Sequence, residues 1–344
     1  MDLMPTSEQE QLLSWARSVL EAQLPLSRLA APPEQRAAAD PALSVLAELG
    51  WIGLALPERW GGSGLSVVEE MILTRESGRY LPTPSLLATQ LSAHIAAAEE
   101  DEALTRGLIA LQARSAMAIP SRPGAGLPEP GLPLYLLDGE KADHILVFTP
   151  TAIALAPREQ FHTDAQLGSL DESVRLTSGW LSAGEPIRSF PKGSLLWLRG
   201  QVLVAAMLVG MAEASLEMAL GYAKSRQQFG RPIGSFQAIK HKCADIAVQI
   251  SAARSQTTYA TLALAQGAPA AFEVLAARTL ASRAAIASAS TNIQIHGGTG
   301  FHVECNAHRY LKRANVVGLF GGADKFHIEQ LLAGPGAQLP LEST

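Results

Sequence analysis

Between Pro120 and Pro133, eight of fourteen residues are proline or glycine. Proline lacks a backbone donor and fixes φ, and glycine favours no regular conformation, so neither a helix nor a regular strand passes through this stretch. The 344-residue chain must therefore be read in parts, each by its own periodicity. The part before it reads as helices. Ser7 with Glu10 forms a capping box, each side chain satisfying the other's free backbone N–H, and Leu12, Leu13, Ala16, Val19 and Leu20 then share one face. Asp40 before Pro41 is a side-chain cap followed by a residue whose missing N–H costs nothing in a first turn. Leu43, Leu46 and Leu49 follow, and Gly50 stops that helix. Ser66 and Glu69 make a second capping box ahead of Met71 to Gly78, after a glycine-rich loop from Leu54 to Gly64.

Beyond the tract come short apolar runs, Leu134 to Leu137, His144 to Phe148 and Ile153 to Ala156, separated by turn-forming pairs such as Asp138-Gly139. They read as strands of a small β unit ending near Pro191. From about Leu196 the chain is helical again, with helices over Val202 to Ser225, Phe236 to Leu264 and Ala271 to Gln294; Gly267 and Pro269 separate the last two. Long helices with short connections predict an antiparallel bundle. The reading is α+β, mainly α: a helical domain over 1–112, a small central β domain over 113–192, a helical bundle over 193–335 and a tail over 336–344.

Net charge is only −5, which excludes the strong basic field of a general nucleic-acid binder. With 47% hydrophobic and 17% charged residues, a large core forms and disorder is excluded. The most apolar run, Val202 to Ala212, is shorter than the roughly 18 to 20 residues that span a bilayer, so it is expected to be buried in the bundle or between subunits and no membrane span is expected. The start, Met-Asp-Leu-Met, runs directly into a polar helix signal, so a secretory leader is not expected. Cys243 and Cys305 provide no disulfide framework, which fits a reducing, cytoplasmic setting.

Three motifs bear chemistry. Arg226-Gln-Gln-Phe-Gly-Arg-Pro-Ile-Gly-Ser-Phe-Gln237 lies between two helices; Gly230, Pro232 and Gly234 turn the chain and leave the guanidiniums of Arg226 and Arg231 suited to bidentate phosphate contact. Spacing alone fits a solvated loop with surface arginines better. Gln294-Ile-His-Gly-Gly-Thr-Gly-Phe301 ends another helix, and its glycines admit close backbone approach to a ligand, although a plain glycine stop fits as well. His302-Val-Glu-Cys305-Asn-Ala-His308 puts metal-ligand types at three-residue steps. Closed sites take four ligands from two segments and there is no second cluster, so a metal is not expected. There is no Gly-x-Ser-x-Gly elbow, P-loop or Cys-x-x-Cys.

Together these segments resemble the acyl-CoA dehydrogenase flavoproteins over nearly the whole chain. Leu46 to Leu65 is similar to the family's N-terminal helical segment, and Gly139-Glu-Lys-Ala-Asp-His-Ile-Leu-Val to the strand where its middle domain meets solvent. The two C-terminal motifs, about 57 residues apart with two helices between, are the most specific matches. The resemblance implies an N-terminal helical domain, a central β domain and a C-terminal four-helix bundle, with FAD between subunits. It also implies that Arg226 contacts the FAD pyrophosphate, that Phe229 packs near the cofactor and that Gln237 helps hold it. Gln294, Ile295, His296, Gly297 and Gly298 would bind the FAD of a neighbouring subunit.

The chain departs from the family where the chemistry is done. Family members remove the substrate's α-proton with a glutamate while the flavin accepts a β-hydride. The usual base precedes a Gly-Thr pair; the matching stretch here is Leu319-Phe-Gly-Gly-Ala323, which puts Gly321 at the base position. A minority of members carry the glutamate on an earlier helix, where this chain has Gly200. Glycine has no side chain to accept a proton, so no catalytic residue is assigned. The family's Thr-Glu-Pro-like segment appears as Ile119-Pro-Ser-Arg-Pro-Gly-Ala-Gly, and the Trp-Ile-Thr segment that covers the flavin ring has no counterpart before Leu134. The resemblance thus implies the base-lacking subunit of a heteromer that dehydrogenates a bulky, steroid-side-chain-like acyl-CoA. Its partners would be a related base-bearing subunit and an electron-transfer acceptor. Two alternatives are a self-sufficient enzyme with a relocated base, Glu304 and Asp324 being the nearest carboxylates in sequence, and a flavin-free scaffold or CoA-ester-binding protein.

Overall fold

The computed structural model describes residues 3–30, 41–122, 131, 133–182 and 188–334. Among the described residues five α-helices come first: α1 (Ser7–Gln23), α2 (Pro41–Glu48), α3 (Val67–Gly78), α4 (Pro84–Ala98) and α5 (Glu102–Ile109). The capping box on α1 lies one residue earlier than the sequence suggests. Thr6 is the cap and Gln9 its partner, because Gln9 also donates from Nε2 to Glu69 Oε1 at 2.7 Å, a contact across 60 residues. The Ser66–Glu69 box on α3 forms as expected. Asp40 lies outside the described residues. Leu43 and Leu46 are buried, but Leu49 is exposed, because α2 ends at Glu48 and Gly50 turns the chain at φ +80°.

Strands β1 (Ser115–Pro120), β2 (Pro133–Leu137), β3 (His144–Phe148), β4 (Ala152–Pro157), β5 (Phe161–Leu167), β6 (Leu176–Leu181) and β7 (Arg188–Pro191) form one sheet in the order β5-β6-β2-β1-β3-β4-β7. Only β1 and β3 pair in parallel among the described strands. The proline- and glycine-rich tract separates β1 from β2, as its chemistry requires. Strand alternation sorts the side chains. Ala116, Ala118, Ile145, Val147, Ala154 and Ala156 build a small core on one face. Met117, Leu146, Phe148, Ile153 and Leu155 face the helices and join the main core. The segment Gly139–Val147 meets solvent only in its first half: Glu140, Lys141 and Asp143 are exposed, whereas β3, lying between β1 and β4, buries Ile145 to Phe148.

The rest is helical: α6 (Leu195–Ser225), a short hairpin of β8 (Gln227–Gln228) and β9 (Arg231–Pro232), α7 (Gln237–Ala265), α8 (Ala271–His296), α9 (Ala307–Val317) and α10 (Asp324–Ala333). Helix α6 is longer than its apolar centre. By length and composition it is apolar enough to cross a membrane, but 83% of its apolar window is buried inside the protein, between α3 on one side and α7 and α8 on the other. It is a core helix. Gly78 and Gly210 let α3 and α6 touch backbone to backbone: a Cβ on Gly78 would run into the Met207 carbonyl, and one on Gly210 into that of Arg75. Buried Arg313 of α9 joins the parts, bonding Asp171, Ser173 Oγ at 2.7 Å and the Pro82 carbonyl.

Candidate functional site

Gly200 and Gly321 meet around one ring. Gly200 sits on the second turn of α6; Gly321 lies in the loop from α9 to α10, its N–H donating to the Phe148 carbonyl at 3.4 Å and its own carbonyl accepting from Gln201 Nε2 at 2.7 Å. A Cβ on Gly200 would lie 2.8 Å from Phe148 Cζ, and one on Gly321 2.6 Å from the same atom while also colliding with the Gln201 amide. Fully buried Phe148 therefore occupies the space that a side chain at either position would enter.

The loop is gripped from inside. Arg278 of α8, fully buried, donates to Ser282 Oγ at 2.5 Å and to the carbonyls of Gly318 (2.9 Å), Phe320 (3.1 Å) and Val317 (3.4 Å). It caps the C-terminus of α9, where carbonyls lack helical partners and the helix dipole is negative. Burial draws the Arg278 pKa down to about 9, which leaves it charged at neutral pH. Burial and that neighbouring charge push His327 down to about 3, so it is neutral. Gly321 at φ +68° and Gly322 at φ +117° hold conformations that side chains resist. Of the two alternative carboxylates, Asp324 pairs with Arg283 through Oδ2 at 3.3 Å while its Oδ1 is buried without a hydrogen-bond partner, and exposed Glu304 stands 3.9 Å from His302 Nδ1.

One cluster escaped the sequence reading. Fully buried Glu70 of α3 accepts from Gln90 Nε2 (3.0 Å) and pairs with His94 Nε2 (2.7 Å), both on α4, and with Arg199 of α6 beside Gly200. Burial alone would raise the Glu70 pKa, but the charges of His94 and Arg199 and their hydrogen bonds hold it at about 2. The only local signal was a charge inside the apolar face of α3.

The motif residues gather at the opposite end of α6. Arg226 ends α6, exposed, its N–H bonded to the Tyr222 carbonyl at 2.8 Å. Phe229 and Gly230 form the hairpin turn with φ +54° and +76°, and Phe229 is 92% exposed. The Arg231 guanidinium stacks 4.2 Å over Phe236, and Gln237 opens α7. Of the second motif, Gln294, Gly297 and Gly298 are exposed, whereas Ile295 and His296 are buried. His302 to Asn306 form a turn rather than a helix, so the three-residue steps place no ligands on one face; among the described residues no group of three His, Cys, Asp or Glu residues is placed to hold a metal.

The fit to FAD is split. At the motif end a Cβ on Gly230, Gly297 or Gly298 would meet nothing within 4 Å and Arg226 is exposed, so a ligand can approach the backbone there closely and the guanidinium is open to a diphosphate, although the Gly297 N–H is itself bonded to the Gln294 and Ile293 carbonyls. At the glycine pair, Phe148 fills the space. Between β2 and β3 only Asp138 to Asp143 intervene, with a single 3-10 turn at Gly139–Lys141, so no ring-covering insertion occurs there. In the connection from β1 to β2, where the Ile119–Gly126 segment lies, residues 123–130 and 132 are outside the described part.

Residues 6–103 match the acyl-CoA dehydrogenase N-terminal domain and residues 196–334 the acyl-CoA dehydrogenase C-terminal domain. Acyl-CoA dehydrogenase IpdE2 of Mycobacterium tuberculosis is 36% identical over 270 residues, 78% of each chain. The ChsE4-ChsE5 complex of Mycobacterium tuberculosis shares the fold with TM-score 0.80 and 22% identity, over 98% of this chain and 100% of that one. A steroid acyl-CoA dehydrogenase shares it with TM-score 0.77 and 22% identity, over 95% and 97%. With its helical, β and helical parts in the family's order, this chain belongs to the acyl-CoA dehydrogenase family. Members are FAD-dependent oxidoreductases that act on a CH–CH bond of acyl-CoA.

Proposed function

We propose that this chain is the subunit without the catalytic carboxylate in a mixed acyl-CoA dehydrogenase assembly that acts on a bulky, steroid-like acyl-CoA thioester. The observation that carries the reading is the Phe148 ring, packed against both positions where a family member holds its base. Removing an α-proton needs a base, and losing one costs about 10² to 10⁴ in rate. When bound, FAD supplies the hydride acceptor. Arg226 would hold its diphosphate by paired N–H donors, and the backbone at Gly297 and Gly298 would approach it closely. This chain then contributes a cofactor-holding edge, and a related chain contributes the carboxylate and the acyl slot. Relatives that share the fold support the reading: one is a complex of two chains and another a steroid acyl-CoA dehydrogenase. An electron-transfer acceptor completes the set of partners. Free Cys243 and Cys305 support a reducing, cytoplasmic setting.

The test is turnover of a steroid-side-chain acyl-CoA by the purified chain, alone and mixed with a related subunit bearing a glutamate at either position. We expect no turnover alone and turnover on mixing. A homo-oligomer of the unmodified chain that fills with FAD and turns over the thioester quickly overturns the reading. In the mixed assembly, Arg226→Ala removes a charge-assisted contact of roughly 1.5 to 3 kcal/mol and lowers FAD retention about tenfold or more. Unchanged flavin occupancy would remove Arg226 from the cofactor site.

A further inference from the structure

The two motifs at the open end of the bundle belong to different helices but lie side by side, so that one FAD, in place of the two in different subunits that the resemblance implied, can be contacted by both, and this requires them to keep one spacing. Tyr222, one turn before Arg226, stacks on His296, the residue before Gly297, with ring centroids 4.1 Å apart and planes 22° apart. The His296 ring is itself fixed: Nδ1 lies 2.9 Å from the Asn292 carbonyl, which can only accept, so Nδ1 carries the proton. Beneath the stack lies a small apolar cluster separate from the main core. It joins Ala219 and Ala223 of α6, Cys243 of α7 and Ile295 of α8, with Ile233 from the loop packed on it. Beside it, Lys242 Nζ bonds Gln294 Oε1 at 2.8 Å; an ammonium only donates, so the Gln294 amide N–H₂ is left to donate to a ligand.

We infer that the Tyr222–His296 stack and the Lys242–Gln294 bond are the positioning device that holds the Arg226–Gln237 loop and the Gln294–Gly298 turn as one rigid edge. The inference rests on the mixed-assembly reading above. Buried His296 and Ile295 thus act through Gly297, Gly298 and Gln294 rather than by touching the cofactor. Misplacing a binding group by a fraction of an ångström weakens the contact it makes.

The experiment uses whatever assembly a tagged copy of the chain brings out of its host, a homo-oligomer included, and measures FAD per chain and the FAD dissociation constant. Tyr222→Leu and His296→Leu each weaken FAD binding about two- to tenfold, the range expected of one aromatic pair. Tyr222→Phe and His296→Phe keep a flat ring and restore it. The double leucine variant is no weaker than the worse single one, because both remove the same contact. Lys242→Met, at a half-buried site where folding is little disturbed, weakens FAD binding without altering thermal stability, which keeps the inference testable if a leucine variant fails to fold. If Arg226→Ala loses FAD while the leucine variants and Lys242→Met bind it as the parent does, the positioning device is overturned and the assembly reading stands. If Arg226→Ala changes nothing, Arg226 leaves the cofactor site and the positioning device falls with it, while the assembly reading is decided by the turnover test.

Discussion

Phe148 determines what can be built at Gly200 and Gly321. Restoring a glutamate at Gly321 asks a side chain to adopt φ +68° and to displace a buried ring and the Gln201 amide together. Overpacking of this kind costs about 1 to 3 kcal/mol, and the backbone strain adds to it. We expect Gly321→Glu to lower the denaturant midpoint and to show no acyl-CoA dehydrogenation; vigorous turnover by this variant would mean that the ring moves freely. Buried ionisable residues also set the acid limit. His327 titrates at about 3 in the folded chain against 6.5 in its absence. The unfolded chain therefore takes the proton first. The His327 contribution is complete above about pH 6.5 and is lost towards pH 3 at about 1.4 kcal/mol per unit. Glu70, at about 2 against 4.5, adds a loss that begins only below about pH 4.5. A melting-temperature profile should be level between about pH 7 and 8, decline below about pH 6.5 and steepen below about 4.5. His327→Leu should make the first limb shallower without removing it, because burial also lowers His94, His144 and His308.

At the scale of elements, α6 is the organising piece, and its crossing with α3 depends on two missing methyl groups. Gly210→Ala would force the helices apart at the Arg75 carbonyl and should cost about 1 to 3 kcal/mol, read as a shifted midpoint with an unchanged slope in urea. A full-strength variant would show that the crossing relaxes. Glycine in a helix interior costs about 1 kcal/mol relative to alanine. Were packing irrelevant here, the substitution would instead be stabilising, so even the sign of the effect decides the matter. The α1 cap follows similar reasoning. Thr6-Gln9 and Ser7-Glu10 satisfy the same capping rule, and the Gln9 bond to Glu69 on α3 favours the former.

For the whole molecule, the long apolar run no longer argues for association, because Val202 to Ala212 is buried within this chain. Large apolar side chains are instead left in solvent on the helical part: Phe229 at 92% exposure, Leu332 at 82%, Phe301 at 73% and Val248 at 70%. Association with a second chain would cover side chains of this kind. Sedimentation at low micromolar concentration should find the purified chain associated, with itself or with its partner. A sharp, heat-stable monomer would count against the mixed assembly. The β sheet and the helices behave as one body in such an assembly, since Arg313 ties α9 to Asp171 and Pro82, and Arg188 of β7 pairs with Asp101 at 2.6 Å.

The order of helices, strands and helices was legible in the sequence because periodicity, caps and the Pro120–Pro133 break are properties of neighbouring residues. The absence of a carboxylate at Gly200 and Gly321 was legible for the same reason, as were the glycines and arginine of the two motifs. Only the tertiary structure decided what fills the space those glycines leave. Phe148 reads in the sequence as one more apolar strand residue, and its role depends on α6 and the α9–α10 loop both packing on it. Glu70 and Arg199 lie 129 residues apart, so no local pattern could pair them. His296 likewise reads as part of a ligand motif, and only the fold stacks Tyr222 on its ring. Burial and pairing across elements depend on which distant residues meet, and chain order alone does not specify that.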